Sequence, residues 1–279
     1  MLSYRHAYHA GNFADVLKHA VLVHSLHHLT KKEKSLRIID THAGAGGYWL
    51  DSRQLLKNRE IDQGMHRLWE RDDLPPILED YRQAVKTFNP EGTLTFYPGS
   101  PLLAQSLSRP QDRLFLHELH STDHRLLTGM IDRDRRVRIL DEDGMQGLLS
   151  LVPPPERRAL VLIDPSYEIR KDYQDVVQKL IKAWQRFPTG TYALWYPVVS
   201  RQRIDDMERN LVRSGVKNIQ LFELGVAPDS EEYGMTASGM IVINPPWTLW
   251  QAMATALPLL ADWLSDGEGH FRQLQLVAE

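Results

Sequence analysis

The chain has 279 residues, with 33 Lys and Arg against 36 Asp and Glu for a formal net charge of −3; hydrophobic residues make up 42% and charged residues 25%. These are the proportions of a globular protein with ample core for one or two domains, and the slightly acidic balance confines any nucleic-acid site to a local patch. No apolar run is long enough to span a bilayer, Met1–His6 has no signal-peptide apolar core, and the lack of cysteine excludes disulfides, thiolate catalysis and cysteine-ligated metals, so a cytoplasmic enzyme or binding protein is expected.

The N-terminal segment Tyr4–His19 mixes aromatic, basic and histidine residues, as nucleic-acid contact segments do. Seven of the twelve histidines (His6, His9, His19, His24, His27, His28 and His42) fall in the first 42 residues. His6-x-x-His9 and His24-x-x-His27 have ligand-like spacing, but no carboxylate pattern completes a site, so no metal is expected. Asn12 reads as an N-cap, followed by Phe13, Val16, Leu17, Ala20 and His24 at helical spacing. Lys31–Lys34 ends that helix. Leu36–Asp40 reads as a short buried strand running into the glycine-rich turn Thr41–Gly47.

Residues 51–92 are polar, helix-prone and broken by Pro75-Pro76, with Leu78, Tyr81, Val85 and Phe88 on one helical face. They read as a helical insertion. Strand-like runs then alternate with helices: Leu94–Tyr97, Arg113–His117, Val137–Leu140, Ala159–Ile163, Tyr192–Tyr196, Ile219–Leu224 and Met240–Ile243, with helical stretches near 121–132, 172–186 and 201–213. This alternation predicts an α/β fold with a mostly parallel sheet. The last two strands, joined by the loop Gly225–Gly239, are expected to form an antiparallel hairpin at a sheet edge.

Asp40-Thr41-His42-Ala43-Gly44-Ala45-Gly46 follows the first strand, where α/β sheets bind ligands. Its spacing differs from the dinucleotide Gly-x-Gly-x-x-Gly. It fits the Asp-x-x-x-Gly-x-Gly loop that holds S-adenosylmethionine, with a purely structural turn as the plainer alternative. Glu118 ends the next strand as a candidate ribose ligand, or a solvated carboxylate. Asp143-Gly144 follows the strand after, as a candidate adenine contact or a simple turn.

Leu160–Ile163 then delivers Asp164, Pro165, Ser166 and Tyr167 to a strand end. An exocyclic amine conjugated to a base ring is a poor nucleophile. Hydrogen bonds from it to the Asp164 carboxylate and the Pro165 carbonyl favour a pyramidal nitrogen with a localised lone pair, and Tyr167 is placed to stack on the base. A strand-ending turn with Asp-Pro as a mere breaker is the alternative. Asn244-Pro245-Pro246-Trp247 competes as an amino-methyltransferase motif and by local sequence fits better. Its position after the apparent final strand, at the expected sheet edge, argues against it. The basic run Arg133–Arg138, with Lys31, Lys32, Lys34, Arg109 and Arg113, offers a local positive patch.

Taken with the opening Met1–His6, the segment from Ala10 to His19 and Tyr97–Pro101, these motifs resemble the RlmJ family over essentially the whole chain. That family comprises bacterial methyltransferases acting on N6 of one adenine in 23S ribosomal RNA. The resemblance implies a Rossmann-like class I S-adenosylmethionine-dependent methyltransferase domain at 1–50 and 93–279 with a small helical insertion at 51–92. It implies cofactor contacts at Lys18, His19, His42, Ser100, Glu118, Asp143, Gly144 and Asp164, alongside Asp40, Gly44 and Gly46 of the glycine loop. Asp164, with Pro165 and Tyr167, looks like the catalytic motif, and Tyr4 and His6 look like substrate-side residues. The implied partner is 23S rRNA, protein-free or in an early assembly intermediate, met by a monomer. One departure is Ser166 in place of the second proline of Asp-Pro-Pro-Tyr, which removes a φ restraint. Adenine methylation in DNA, and a non-catalytic RNA-binding assembly protein, remain as alternatives; a dehydrogenase is disfavoured by the loop spacing.

Overall fold

The computed structural model describes residues 9–51, 60–131, 133–230 and 234–279; Tyr4 and His6 lie outside them. Asn12 caps the first helix, α1 (Phe13–Thr30), its side-chain oxygen accepting from the N–H groups of Ala14 and Asp15. α1 is buried along most of its length because it packs on the sheet with other helices over it. It leads to β1 (Arg37–Asp40).

β1 lies inside an eight-stranded sheet of order β10 (His270–Val277), β8 (Ile219–Gly225), β9 (Ala237–Ile243), β7 (Thr191–Val198), β6 (Ala159–Ile163), β1, β4 (Arg113–His117), β5 (Val137–Leu140). β4 (Arg113–His117) and β5 (Val137–Leu140) extend it on one side, and β6 (Ala159–Ile163) and β7 (Thr191–Val198) on the other, all parallel. The chain therefore changes direction of winding between β1 and β6, and the carboxyl ends of β1, β4, β5 and β6 open on one crevice. α4 (Ser100–Leu107) leads into β4, and among the connecting helices after it are α5 (Ser121–Met130), α6 (Gly144–Leu151), α7 (Arg170–Arg186) and α8 (Arg201–Arg213). They follow the predicted alternation.

β8 (Ile219–Gly225) and β9 (Ala237–Ile243) do pair antiparallel, but not at the edge. β9 inserts between β7 and β8, antiparallel to both. After α9 (Leu249–Leu264), a further strand, β10 (His270–Val277), covers β8 antiparallel. The expected strand near residue 94 is also displaced. β3 (Phe96–Pro98) pairs only with β2 (Gly47–Trp49), in a two-stranded ribbon outside the main sheet. In the described part of 51–92, a 3-10 turn (Glu60–Gln63), α2 (Met65–Trp69) and α3 (Pro76–Lys86) form. Pro76 starts α3, where its missing N–H costs nothing. Ile77, Leu78, Tyr81 and Val85 of α3 join the same buried cluster as the sheet residues.

The far strands are fastened by charge. Glu223 on β8 is fully buried and meets Arg201 of α8 at 2.9 Å, Arg272 of β10 at 3.3 Å and the Tyr196 hydroxyl of β7 at 2.8 Å. Removing one partner of a buried ionic network leaves the others uncompensated. Glu223→Ala is therefore expected to lose about 3–5 kcal/mol of stability, read as a lowered urea midpoint; an unchanged midpoint contradicts this role.

Candidate active site

A cavity of about 530 Å³ lies at the carboxyl ends of β1, β4, β5 and β6, within the size range of a small-molecule site. It is lined by Lys18 and His19 from α1, His42 and Gly44 from the glycine turn, Ser100, Glu118, Asp143, Gly144, Asp164, Pro165 and Tyr167. Thus the sequence-predicted residues from six chain segments converge. Asp40 and Gly46 do not line it. Asp40 lies buried beneath, its carboxylate accepting from the Ser100 hydroxyl at 2.7 Å and the His42 N–H at 3.1 Å. Gly46 faces Leu127 of α5, and its carbonyl accepts from the Gly99 N–H at 2.8 Å.

The glycine turn is sewn to its neighbours. The Ala43 N–H reaches the His117 carbonyl, and the Gly44 N–H donates to Glu118 at 2.8 Å. Gly44 has φ +63, a conformation glycine adopts at little cost. Glu118 also accepts from the His120 N–H at 2.6 Å, so its carboxylate is fixed at the cavity wall, with burial raising its pKa. Asp143 caps α6 through the N–H groups of Met145 and Gln146 and pairs with Lys179 at 3.4 Å. Burial opposes its charge, but the Gln146 N–H and the Lys179 ammonium hold its pKa below the ordinary value. Gly144 packs so closely that a Cβ there would stand 1.9 Å from the Thr41 carbonyl oxygen. His42 is half-buried at the cavity wall, and desolvation there lowers its pKa to about 4, leaving a neutral imidazole.

At the other wall, Asp164 meets the Lys18 ammonium at 2.5 Å, and Asp15 meets the same ammonium at 2.8 Å. Lys18 is only 3% exposed and Asp15 1%. Burial alone would lower the Lys18 pKa, but the charges of Asp15 and Asp164 raise it well above the ordinary value. Asp15 also accepts the Gly11 N–H at 2.8 Å. Sequence reasoning missed Asp15. Its signal was a charged residue, three before a lysine, inside a helix with apolar residues on every side. His117, fully buried on the cavity wall with Glu142 at 3.4 Å, was also missed. His19 joins a buried chain, its Nδ1 2.6 Å from the Tyr97 hydroxyl, which lies 2.7 Å from that of Tyr81.

Tyr167 differs in one respect from a freely offered stacking ring. It is 8% exposed, its ring packs 4.4 Å from Tyr173, and its hydroxyl donates to the Trp195 carbonyl at 2.7 Å. Its φ of +48 is strained for a non-glycine residue, a cost of order 1–3 kcal/mol kept where surrounding contacts fix the backbone.

Asn244 is excluded for a reason other than the one expected. β9 runs against β7, so Asn244 emerges at the amino end of β7, across the sheet from the cavity. Its side-chain amide donates to the carbonyls of Pro188 and Gly190. The positive patch is also reduced. Arg109 is tied to Asp112 and to the carbonyls of Thr30, Lys32 and Lys34, and Arg136 to Asp134. Both lie near the amino ends of β4 and β5.

The strand order, with the antiparallel β9 inserted beside β7, and the cavity at the winding reversal define a class I S-adenosylmethionine-dependent methyltransferase fold. The donor set suits that cofactor: a fixed carboxylate at the end of β4, a capped carboxylate with a close-packed glycine at the end of β5, and a glycine turn at the end of β1. The profile of the family described as "Ribosomal RNA large subunit methyltransferase D, RlmJ" matches residues 33–277. The chain is 50% identical to the Ribosomal RNA large subunit methyltransferase J of Escherichia coli K12, covering 100% of both chains. It is 47% identical to the protein of the same name from Haemophilus influenzae, over 95% of this chain and 94% of that one. A crystal structure of a Legionella pneumophila protein superposes with a TM-score of 0.89 at 36% identity, covering 96% of this chain and 98% of that one. The chain belongs to the RlmJ family of methyltransferases.

Burial pushes the Asp40 carboxyl from 3.8 up to about 6. A carboxyl that holds its proton more tightly when folded favours folding fully below about pH 4, and this contribution is lost as pH rises through about 6. Asp40→Asn keeps the acceptor for the His42 N–H and is expected to flatten the stability profile between those values. Chemical denaturation across pH 4–7 checks this; an equally sloped profile in the variant contradicts it.

Proposed function

We propose that the protein transfers the methyl group of S-adenosylmethionine to the exocyclic N6 of one adenine in 23S rRNA. The observation that carries this reading is the Asp164 carboxylate at the end of β6, beside Pro165 and Tyr167 on the cavity wall and fixed by the Lys18 ammonium. When bound, the cofactor supplies an electrophilic methyl on a sulfonium. Glu118 suits its ribose hydroxyls, Asp143 and Gly144 its adenine, and Lys18, His19, His42 and Ser100 the rest of the molecule.

Asp164 and the Pro165 carbonyl accept the N–H bonds of the target amine and localise its lone pair. The amine nitrogen would take the methyl as its bond to sulfur broke, the electron pair going to sulfur and one amine proton to water. No further reactant is required. Asp15 acts through Lys18 as a positioning residue, holding the carboxylate in one place. Together Asp15, Lys18 and Asp164 carry one net negative charge, which favours a cationic sulfonium over a neutral thioether. Tyr167, already clamped by Tyr173 and Trp195, gives the flipped base a rigid flank. Tyr4 and His6 act from the substrate side. The enzyme works in the cytoplasm as a monomer, on protein-free RNA or an early assembly intermediate. The names of the relatives at 47–50% identity support RNA over DNA as substrate.

The test is transfer of a labelled methyl group to protein-free 23S RNA, intact large subunits and duplex DNA, with the modified base identified by mass spectrometry. N6-methyladenosine in the free RNA is expected. Asp164→Ala is expected to abolish it while S-adenosylhomocysteine still binds. Label only in DNA, or full activity in the variant, contradicts the reading.

A further inference from the structure

Across the sheet from the cavity, Trp247 projects into solvent with 82% of its surface exposed. The loop that carries it is rigid. Asn244 holds φ +51, donates to the carbonyls of Pro188 and Gly190, accepts from the Thr191 hydroxyl, and is followed by Pro245 and Pro246. An indole fixed in water gains nothing for the fold. It stands edge-on to His28, 6.2 Å between ring centres. Thr248 binds the same end of α1, 2.9 Å from His24 Nε2 and 3.4 Å from His28 Nδ1. Cations gather at this end of α1: after burial, Lys31, Lys32 and Arg158 are what depress the His28 pKa, and Asp80, 3.3 Å from His27, is a nearby acid. Lys31, Lys32 and Lys34 are exposed in the turn after α1, with Glu33 as the acid among them, and Lys217 is exposed beside Asn218, whose carbonyl accepts the Asn244 N–H.

A fixed exposed aromatic beside exposed cations is the pairing that binds polynucleotides, the ring stacking on a base and the cations meeting phosphates. We propose that Trp247, with Lys31, Lys32 and Lys34, forms a second contact surface for the RNA substrate, on the opposite end of the molecule from the methyl-transfer cavity. This rests on the reading that the substrate is RNA. The two ends are linked by α1: Lys18 and Lys31 are 13 residues apart, a rise of about 20 Å. The RNA must therefore extend at least that far from its target adenine, and the surface selects long RNA over a short stem bearing the same adenine.

The test compares two RNAs: protein-free large-subunit RNA, and the shortest hairpin around the modified adenine that the unaltered enzyme still methylates. Trp247→Ala is expected to raise KM for the long RNA by about 5- to 100-fold, the worth of one stacked base, and separately the double variant Lys31→Ala with Lys32→Ala is expected to raise it and to weaken its dependence on salt. kcat at saturating RNA, S-adenosylhomocysteine affinity, melting temperature and KM for the hairpin are expected to stay as they were. Unchanged KM on the long RNA overturns the proposal. So does an equal loss on the hairpin, which ties Trp247 to the cavity, or self-association of the unaltered enzyme that Trp247→Ala abolishes, which makes the ring a contact between copies. Failure of the unaltered enzyme to methylate any RNA instead removes the reading on which the proposal rests.

Discussion

The ammonium of Lys18 sits inside the molecule between two carboxylates, one from its own helix and one from the end of β6. A lone ammonium there would lose several kcal/mol of hydration, so neither Lys18 nor its partners can be changed alone without cost. The arrangement joins parts of the chain that are 146 residues apart. Through Asp15 and the Gly11 N–H it also ties the start of α1 to the catalytic strand end. The position of Asp164 at the cavity is in this sense set by the first helix as much as by β6.

The opposite wall is built from backbone. Glu118 and the glycine turn hold each other through the Gly44 N–H, Asp143 is pinned by the first turn of α6, and Gly144 lets that helix approach the end of β1. These contacts fix acceptors in place without ordering long side chains, which keeps the entropic cost of ligand binding low. Asp40 supports the floor through Ser100 and His42 without reaching the cavity. Two kinds of rigidity therefore meet at the site: an ionic lock behind the reacting group and a backbone cradle on the far wall.

The parallel half of the sheet and the cavity residues after β1, β4, β5 and β6 were legible because each motif directly follows a short apolar strand, and strand ends on one edge of a parallel sheet must meet; Lys18, His19 and Ser100 lie on other elements and were reached only through the family resemblance. Three features were not. β10, His270–Val277, is a half-covered strand with Phe271 and Leu274 exposed, so its pattern lacks the buried run of the inner strands. β9 carries the same apolar run whether it lies at an edge or between two strands, since pairing partners leave no local mark. Asp15 sits where first-turn helix acids are ordinary, which masks the signal of its place three residues before Lys18 in an apolar helix. Asn244 shows the converse: its motif was persuasive in sequence, yet the antiparallel course of β9 carries it to the wrong end of the sheet.

The central claim is that Asp15 and Lys18 hold the Asp164 carboxylate in register with the target amine. Its most direct test is single-turnover methyl transfer by Asp15→Asn, a change that keeps side-chain shape and removes one charge from the lock. The account predicts a rate about 10- to 100-fold lower, the scale expected of a misplaced reacting group, with S-adenosylhomocysteine affinity retained. Transfer at the rate of the unaltered enzyme contradicts it, and leaves Asp164 placed without help from Asp15.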